Sequence, residues 1–306
     1  MTDIVDLFAG AGGFSTGARL AGANVVWAAN HWPQAVEAHA RNHPETIHVC
    51  QDLQQADWRE LPPHDVMCAS PACQGHANAR GRDRPHHDVT RATAWAVVAC
   101  AEYHRQDAIL VENVPEFLAW QLYPAWKLAM ESLGYAVAPH VIDAADCGVP
   151  QNRERAIIAC TRSRAPIRLK IAKQAHVAAA TILDFASGRW SPVVHPARSQ
   201  ATIDRARAGH ARYGNRFVMP YYGSGSGKTG RSIDRPLGTV TTRDRWAVVD
   251  GDEMRMLTVA EYKRAMSFPE DYALPGTSKK LDLHLLGNAV PPLMAKAAIE
   301  ALLAAA

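Results

Sequence analysis

Short runs of apolar residues recur through the first 160 residues, and the stretches between them space their apolar positions as a helix does. The runs have the length and the content of small and branched apolar residues that are typical of strands buried in a parallel sheet. They predict seven strands, at residues 4–8, 25–29, 48–53, 65–69, 108–111, 137–143 and 156–160. The stretches between them predict helices at residues 16–21, 34–42, 89–104 and 117–134. This alternation predicts an α/β fold with a doubly wound, mostly parallel sheet, in which reactive groups lie at the carboxyl ends of the strands.

The periodic pattern stops after residue 161. Residues 161–236 contain many Pro, Gly and Ser residues and predict a loop-rich small domain. Regular patterns then predict strands at residues 235–242 and 246–249, a helix at 259–266 and a final apolar helix that begins near Pro292. A chain of 306 residues is long enough for one large domain and a small second one.

The net charge of +3 conceals a strongly basic segment. Residues 162–235 contain 14 Lys and Arg but only three Asp, a net charge of +11, whereas the rest of the chain carries −8. A basic segment of this length favours binding to nucleic acid over a merely solvated surface.

The six cysteines lack the CxxC spacing of a metal site or redox pair. We therefore expect reduced thiols, with neither a disulfide framework nor a bound metal. No apolar run reaches membrane-spanning length and no signal-type leader precedes the first strand, so the expected location is the cytoplasm.

Polar or reactive residues follow several of the predicted strands. A glycine-rich turn at residues 9–13 suits a ligand held by main-chain N–H groups, although its spacing is not GxGxxG. Trp32 follows the second strand, where its ring can stack on adenine or, as the alternative, pack in the core. Asp52 lies near the end of the third strand, where its carboxylate can accept from an adenine amino group. Cys73 follows the strand at 65–69 and opens an Arg-rich stretch, so it is a candidate nucleophile, with an inert packed thiol as the alternative.

Six motifs occur in one order along the chain. They are Phe-Ala-Gly-Ala-Gly-Gly-Phe-Ser at 8–15, Ser-Pro-Ala-Cys-Gln at 70–74, Glu-Asn-Val at 112–114, Gln-Asn-Arg-Glu-Arg at 151–155, Arg-Pro-Leu-Gly-Thr-Val-Thr at 235–241 and Gly-Asn-Ala-Val-Pro at 287–291. This series closely resembles the motif series of DNA (cytosine-5)-methyltransferases, and it spans nearly the whole chain apart from residues 165–230. The resemblance implies a methyltransferase fold with a catalytic and cofactor-binding domain at residues 1–164 and a target-recognition region at 165–234. Residues 235–306 would supply small-domain strands and return to the catalytic domain.

The resemblance also implies the reaction, the transfer of a methyl group from S-adenosylmethionine to carbon 5 of a cytosine flipped out of duplex DNA. Cys73 matches the nucleophile that adds to carbon 6, Glu112 the acid at the cytosine edge, and Arg155, in preference to Arg153, the arginine near the cytosine carbonyl. The implied cofactor residues are Phe8, Ala9, Gly10, Gly12, Gly13, Phe14, His31, Trp32, Asp52, Leu53, Asn288 and Val290. The residues expected to contact DNA are Gln74, Arg80, Arg82, Arg84, Arg91, Arg153, Arg212, Arg216, Lys228, Arg231 and Thr241. The implied partner is double-stranded DNA. We expect a monomer with no membrane partner, and a cognate restriction endonuclease stays open as a further partner.

Two residues depart from the family pattern. Ala72 stands where the family usually has a proline before the cysteine, and His31 stands where it usually has an acid after the second strand. Two alternatives stay open, an RNA cytosine-5 methyltransferase and a catalytically silent DNA-binding homologue. The basic segment favours DNA over RNA, and the intact set of Cys73, Glu112 and Arg155 favours an enzyme.

Overall fold

The structure of the chain is a computed structural model that describes residues 1–72, 91–221 and 229–305. The chain divides into two compact units. The first comprises Met1–Cys147, Glu154–Lys173 and Ala289–Ala306, and the second comprises Gly148–Arg153 and Gln174–Asn288. Within the described ranges, no helix is long and apolar enough to cross a membrane. The α-helices in these ranges are α1 Gly13–Leu20, α2 Pro33–Asn42, α3 Ala94–His104, α4 Tyr123–Ser132, α5 Gln200–Tyr213, α6 Val259–Ala265, α7 Lys279–Asn288 and α8 Pro292–Leu303.

The first unit contains a seven-stranded sheet. Its strands are β1 Asp3–Leu7, β2 Asn24–Asn30, β3 Ile47–Cys50, β4 Val66–Ala69, β5 Ala108–Asn113, β6 Ala136–Asp143 and β7 Glu154–Thr161, in the order β3-β2-β1-β4-β5-β7-β6. The pairs among β1 to β5 are parallel, and β7 is antiparallel to both β5 and β6. The chain runs outward from β1 to β3, returns to β4 on the other side of β1, and continues to β5. This confirms the predicted doubly wound, mostly parallel α/β fold.

Burial along the central strands explains why their sequences are continuous apolar runs. Every residue of β4 and of β5 is buried, as expected for strands covered on both faces of a sheet. Glu112 and Asn113 are the polar exceptions, and they lie at the carboxyl end of β5. A polar pair at the end of a buried strand is the usual position for functional groups in this class of fold.

Helix α8 packs directly on α1 within the first unit. A Cβ at Gly13 would overlap the carbonyl of Val290, and a Cβ at Gly17 would overlap the side chain of Ala295. Glycine at both positions therefore allows close approach of the two helices. The result is that residues from opposite ends of the chain form one core beneath the turn that follows β1.

The second unit contains a five-stranded antiparallel sheet. Its strands are β8 Ser191–Pro192, β9 Arg216–Pro220, β10 Arg231–Ser232, β11 Trp246–Asp250 and β12 Glu253–Met256, in the order β10-β9-β11-β12-β8. Helix α5 packs on β9, since a Cβ at Gly209 would overlap the ring of Phe217. Phe217, Met219, Ala247, Val249 and Met254 form the core between this helix and the sheet.

Several elements differ from the sequence predictions. Residues 161–236 were expected to be loop-rich, yet they contain the fourteen-residue helix α5 and strand β9. Residues 235–242 do not form the predicted strand; among them, Leu237 makes a single bridge to Gln151. Helix α7 was not predicted, and the predicted helix at 117–134 is interrupted between a short 3-10 turn at Pro115–Ala119 and α4.

Candidate active site

The turn after β1, residues 8–13, is called here the glycine turn. Phe8, Gly10 and Gly12 all have positive φ, at 61°, 56° and 78°. Such angles are ordinary for glycine and strained for Phe8, so the backbone at this position is held by its surroundings. Ala9 N–H donates to the carbonyl of Ala29 at 3.0 Å, and α1 begins immediately after the turn. The main chain thus doubles back sharply, with the N–H groups of the first helical turn at its end.

A buried line of hydrogen bonds lies under the glycine turn. Asp6 Oδ2 accepts from the Ser15 main-chain N–H at 3.1 Å and from the Ser15 hydroxyl at 2.7 Å. His39 Nε2 lies 2.9 Å from Ser15 Oγ, and His39 Nδ1 lies 2.8 Å from His48 Nε2. We call these four residues the Asp6 chain. It ties the first turn of α1 to β1, α2 and β3, and the sequence analysis missed it because the histidines come from two separate elements.

Burial sets the protonation of the Asp6 chain. It raises the pKa of Asp6 to about 7, against the hydrogen bonds from Ser15, which lower it. Burial also holds the pKa of His39 well below its usual range, and the neighbouring His43 and His48 add to that effect. The histidines are therefore neutral at pH 7, which suits hydrogen bonds between their rings.

Several residues predicted to hold the cofactor follow the carboxyl ends of β1, β2 and β3. Residues 31–32 and Asp52 follow β2 and β3, whose register aligns Asn30 with Cys50. His31 and Asp52 are exposed, and Trp32 is half-buried at the start of α2. Phe14, Leu53 and Val290 are buried in the core, and the Val290 carbonyl lies against Gly13. Asn288 is exposed at the end of α7, in the second unit.

These residues fit S-adenosylmethionine. A Cβ built on Gly10 would find no atom nearer than 3.8 Å, so the outer side of the glycine turn is open. On the next two strands of the sheet, Trp32 follows β2 and the exposed carboxylate of Asp52 follows β3, and they can face an adenine ring and its amino group. The edge therefore offers main-chain donors, a stacking surface and an acceptor to one elongated ligand.

Glu112 and Arg155 form a buried ion pair at the other end of the same sheet edge. Arg155 Nε lies 2.9 Å from Glu112 Oε1, and the two side chains are 11% and 9% exposed. Antiparallel pairing of β5 with β7 brings them together, since the carboxyl end of β5 is opposite the amino end of β7. Arg155 Nη1 also donates to the carbonyl of Glu154 at 2.7 Å. A charged pair this well covered can present a fixed acid and a fixed cation to a ligand, because few water molecules reach it.

The chain that leads toward Cys73 is anchored beside this pair. Asn113, next to Glu112, donates from Nδ2 to the carbonyl of Pro71 at 3.0 Å, and this bond is buried. Ser70 N–H donates to the carbonyl of Leu7 at 3.0 Å, and Ala72 N–H donates to Thr93 Oγ1 at 3.0 Å. Cys73 itself lies outside the described residues. The main chain is thus fixed up to the residue before it.

The cysteines that the structure describes differ in exposure. Cys68, Cys100, Cys147 and Cys160 are buried, whereas Cys50 is exposed. Burial raises the pKa of Cys100 to about 12 and that of Cys147 to about 11, and it raises the pKa of Cys68 and Cys160 as well. The buried thiols are therefore poor nucleophiles at neutral pH.

The predicted DNA-contacting residues have varied surroundings. Gln74, Arg80, Arg82, Arg84 and Lys228 lie outside the described residues. Arg212 is exposed and lies over the Tyr213 ring, Arg231 is exposed over Trp246, and Arg216 is paired with Asp250 at 3.0 Å. Arg91 and Thr241 are half-buried.

Arg153 is the exception among them. It is 2% exposed and donates to the carbonyls of Val240 and Gly287, each at 2.8 Å. Its guanidinium is therefore buried in the second unit and bound to main-chain carbonyl groups there. This burial does not support the prediction that Arg153 contacts DNA.

Comparison with known proteins identifies the family of the chain. The C-5 cytosine-specific DNA methylase family matches residues 2–304. The chain is 30% identical to the type II methyltransferase M.AplI of Arthrospira platensis over 316 residues, which cover 96% of this chain and 83% of that protein. It is 28% identical to the type II methyltransferase M1.HphI of Haemophilus parahaemolyticus, over 98% of this chain and 86% of that protein. The solved structure of the methyltransferase EhMeth of Entamoeba histolytica has the same fold, with a TM-score of 0.72, 15% identity and coverage of 99% and 98% of the two chains. The chain therefore belongs to the C-5 cytosine-specific DNA methylase family and is a DNA (cytosine-5)-methyltransferase.

Proposed function

We propose that the protein methylates carbon 5 of a cytosine that is flipped out of duplex DNA, through a transient covalent bond between Cys73 and carbon 6 of the base. The observation that carries the proposal is the buried Glu112–Arg155 pair, together with the anchoring of Pro71 beside it by Asn113. These contacts hold Glu112 and Arg155 together at the sheet edge and fix Pro71, which is two positions before Cys73 in the sequence, to the residue next to Glu112.

The residue types account for the covalent step. Carbon 5 of cytosine is a weak nucleophile, and addition of the Cys73 sulfur to carbon 6 turns the ring into an enamine that is nucleophilic at carbon 5. The thiol loses its proton as the sulfur–carbon bond forms, and ring nitrogen 3 gains one, so the adduct carries no added charge. Glu112, released from its pair with Arg155 by the entering base, would take up this proton and hand it to nitrogen 3, and its carboxyl would accept from the exocyclic amino group. Arg155 would bind carbonyl oxygen 2, where negative charge develops.

The remaining steps return the enzyme to its starting state. S-adenosylmethionine, when bound, supplies an electrophilic methyl group to carbon 5. A base then removes the carbon-5 proton, the carbon–sulfur bond breaks, nitrogen 3 gives up its proton, and the Cys73 thiol is restored. The glycine turn, Trp32 and Asp52 would hold the cofactor at the same sheet edge.

The substrate we propose is DNA, because the basic segment at 162–235 carries a net charge of +11. A base inside the duplex is inaccessible to the sulfur of a side chain. It must be extruded at a cost of a few kcal/mol, which contacts to the DNA backbone would offset. The type II methyltransferases among the relatives also make a partner restriction endonuclease part of this proposal.

The test is covalent trapping. The full-length protein is incubated with S-adenosylmethionine and duplex DNA containing 5-fluorocytosine, whose carbon 5 carries no removable proton. We expect a denaturation-resistant adduct with the wild type, none with C73S, and an undiminished one with C50S, which changes the exposed cysteine described above. E112Q should reduce methyl transfer to normal DNA about 100-fold or more, because it removes the proton donor while keeping a side chain of the same shape.

Two results would overturn the proposal. One is an adduct of wild-type yield with C73S, and the other is methylation of transfer RNA in preference to duplex DNA.

A further inference from the structure

The main chain just before Cys73 is held by bonds to three different elements. Ser70 N–H donates a hydrogen bond to Leu7 at the end of β1, and the carbonyl of Pro71 accepts one from the Asn113 side chain on β5. Ala72 N–H donates to the Thr93 hydroxyl at the start of α3. The bonds of Ser70 and Pro71 are made to residues on strands of the sheet. The third bond is made to a residue 21 positions further along the chain, so it joins the two ends of the segment that begins with Cys73.

The Thr93 hydroxyl accepts a hydrogen bond from the main chain of Ala72. Thr93 directly precedes α3 and has helical angles, φ −58° and ψ −25°, rather than the extended angles of a residue whose hydroxyl caps its own helix. Its side chain makes no capping bond to α3. The oxygen accepts instead from Ala72 N–H at 3.0 Å.

The donor in this bond exists because residue 72 is alanine. The resemblance set out above places a proline at this position in most of the family, and a proline has a fixed φ and no N–H group. Alanine leaves φ free and adds an N–H, which is costly to leave unpaired in a half-buried position. A hydrogen bond from that N–H to Thr93 satisfies the donor and restricts the same dihedral angle.

We propose that Thr93 is a positioning residue for Cys73, and that its hydroxyl replaces the restraint that a proline ring would supply at residue 72. The inference rests on the function proposed above, in which Cys73 is the nucleophile. Thr93 acts on the rate at which the sulfur reaches carbon 6, through the main chain of Ala72, and it has no part in binding the cofactor. Misplacing a reacting group by about 1 Å is enough to slow a reaction on the order of 100-fold.

The test is a double-mutant cycle between residues 72 and 93. T93V keeps the shape of the side chain and removes the acceptor, whereas T93S keeps the hydroxyl. We expect T93V to lower kcat about 10-fold, with KM for S-adenosylmethionine unchanged, and T93S to restore most of the rate. In the A72P background the N–H is absent, so T93V should lower kcat less than twofold relative to A72P alone. Melting curves of each variant show whether it is folded at the assay temperature.

The outcomes separate this inference from the proposed function. An equal loss from T93V in both backgrounds, or a loss that T93S does not restore, would contradict the role of Thr93 while leaving the adduct chemistry intact. A change in KM for the cofactor that parallels the change in kcat would point to a general disturbance of the first unit and would also contradict it. Absence of any adduct with the wild-type protein would instead refute the proposed function.

Discussion

At the scale of single residues, Arg153 and Arg155 are two positions apart and have different surroundings. Arg155 lies on β7 and pairs with Glu112, while Arg153 precedes β7 and donates to two carbonyl groups in the second unit. The order of motifs was enough to predict that Glu112 and Arg155 share a site. It could not reveal Asn113 and Thr93 as anchors, because each binds a main-chain atom of Pro71 or Ala72. A main-chain partner leaves no signature in the identity of the residue that provides it.

The buried carboxyl of Asp6 makes a prediction about pH. The pKa of Asp6 is raised by burial from 3.8 to about 7, so the folded protein binds a proton that the unfolded chain has lost over this range. Stability therefore falls as pH rises from about 4 to about 7, by at most about 1.4 kcal/mol per pH unit. D6N removes this titration. The free energy of unfolding of D6N should therefore increase relative to that of the wild type as pH rises from about 4 to about 7, and the difference between the two should be constant above pH 7. Urea unfolding at a series of pH values measures the difference.

The comparison isolates Asp6 from its histidine neighbours. Burial lowers the pKa of His43 to about 4 and holds that of His39 well below its usual range, so both destabilise the fold as pH falls below about 6.5. The pH dependence that the histidines give to stability is opposite in sign to that of Asp6, and it is present in both D6N and the wild type. D3N, which changes the half-buried carboxyl of Asp3 on the same strand, is the control for the loss of a carboxyl group. A pH-independent gap between D6N and the wild type would contradict the prediction.

At the scale of elements, apolar runs predicted the strands of the first unit well and the second unit poorly. The buried face of α5 consists of Thr202, Ile203, Ala206 and Gly209, only one of which is a large apolar residue. The periodic apolar signal that identifies a surface helix is therefore weak. The helix is stabilised by the fit of these small side chains against Phe217, which depends on a strand that comes later in the chain.

That fit predicts an unusual response to a change at Gly209. Replacing glycine by alanine inside a helix normally stabilises it by about 1 kcal/mol. Here the added methyl group would overlap the fully buried ring of Phe217, and such overpacking typically costs about 1–3 kcal/mol. G209A should consequently lower the Tm, and F217L in the same chain should recover part of the loss by making room. A Tm of G209A at or above that of the wild type would show that α5 does not pack on this ring.

At the scale of the whole molecule, the segregation of charge is the main property that the sequence alone makes visible. The structure adds which arginines of the basic segment already have an acidic partner. Arg216 is paired with Asp250 and lies over the Phe185 ring, whereas Arg212 is exposed on the last turn of α5 over Tyr213. A charge that is already neutralised releases fewer counterions when DNA binds.

The two arginines should therefore differ in their effect on DNA binding. R212A is expected to weaken binding and to reduce the slope of log K against log salt by about one, as for the loss of one phosphate contact. R216A is expected to change the slope less, because Asp250 already balances its charge. R41A, which removes an exposed arginine paired with Glu37 on α2, is the control for a general loss of charge. Equal slopes for R212A and the wild type would mean that this end of α5 does not face the DNA.

The seam between α1 and α8 has a consequence for how the protein is made. The buried residues of α1 are completed by residues synthesised more than 270 positions later, at Val290 and Ala295. During synthesis on the ribosome, the apolar face of α1 therefore remains uncovered until the basic segment and then α8 have been translated. Contacts of such long sequence separation also close slowly once the chain is free. In a nascent chain, the core beneath the glycine turn is consequently completed only after the basic segment at 162–235 has been synthesised.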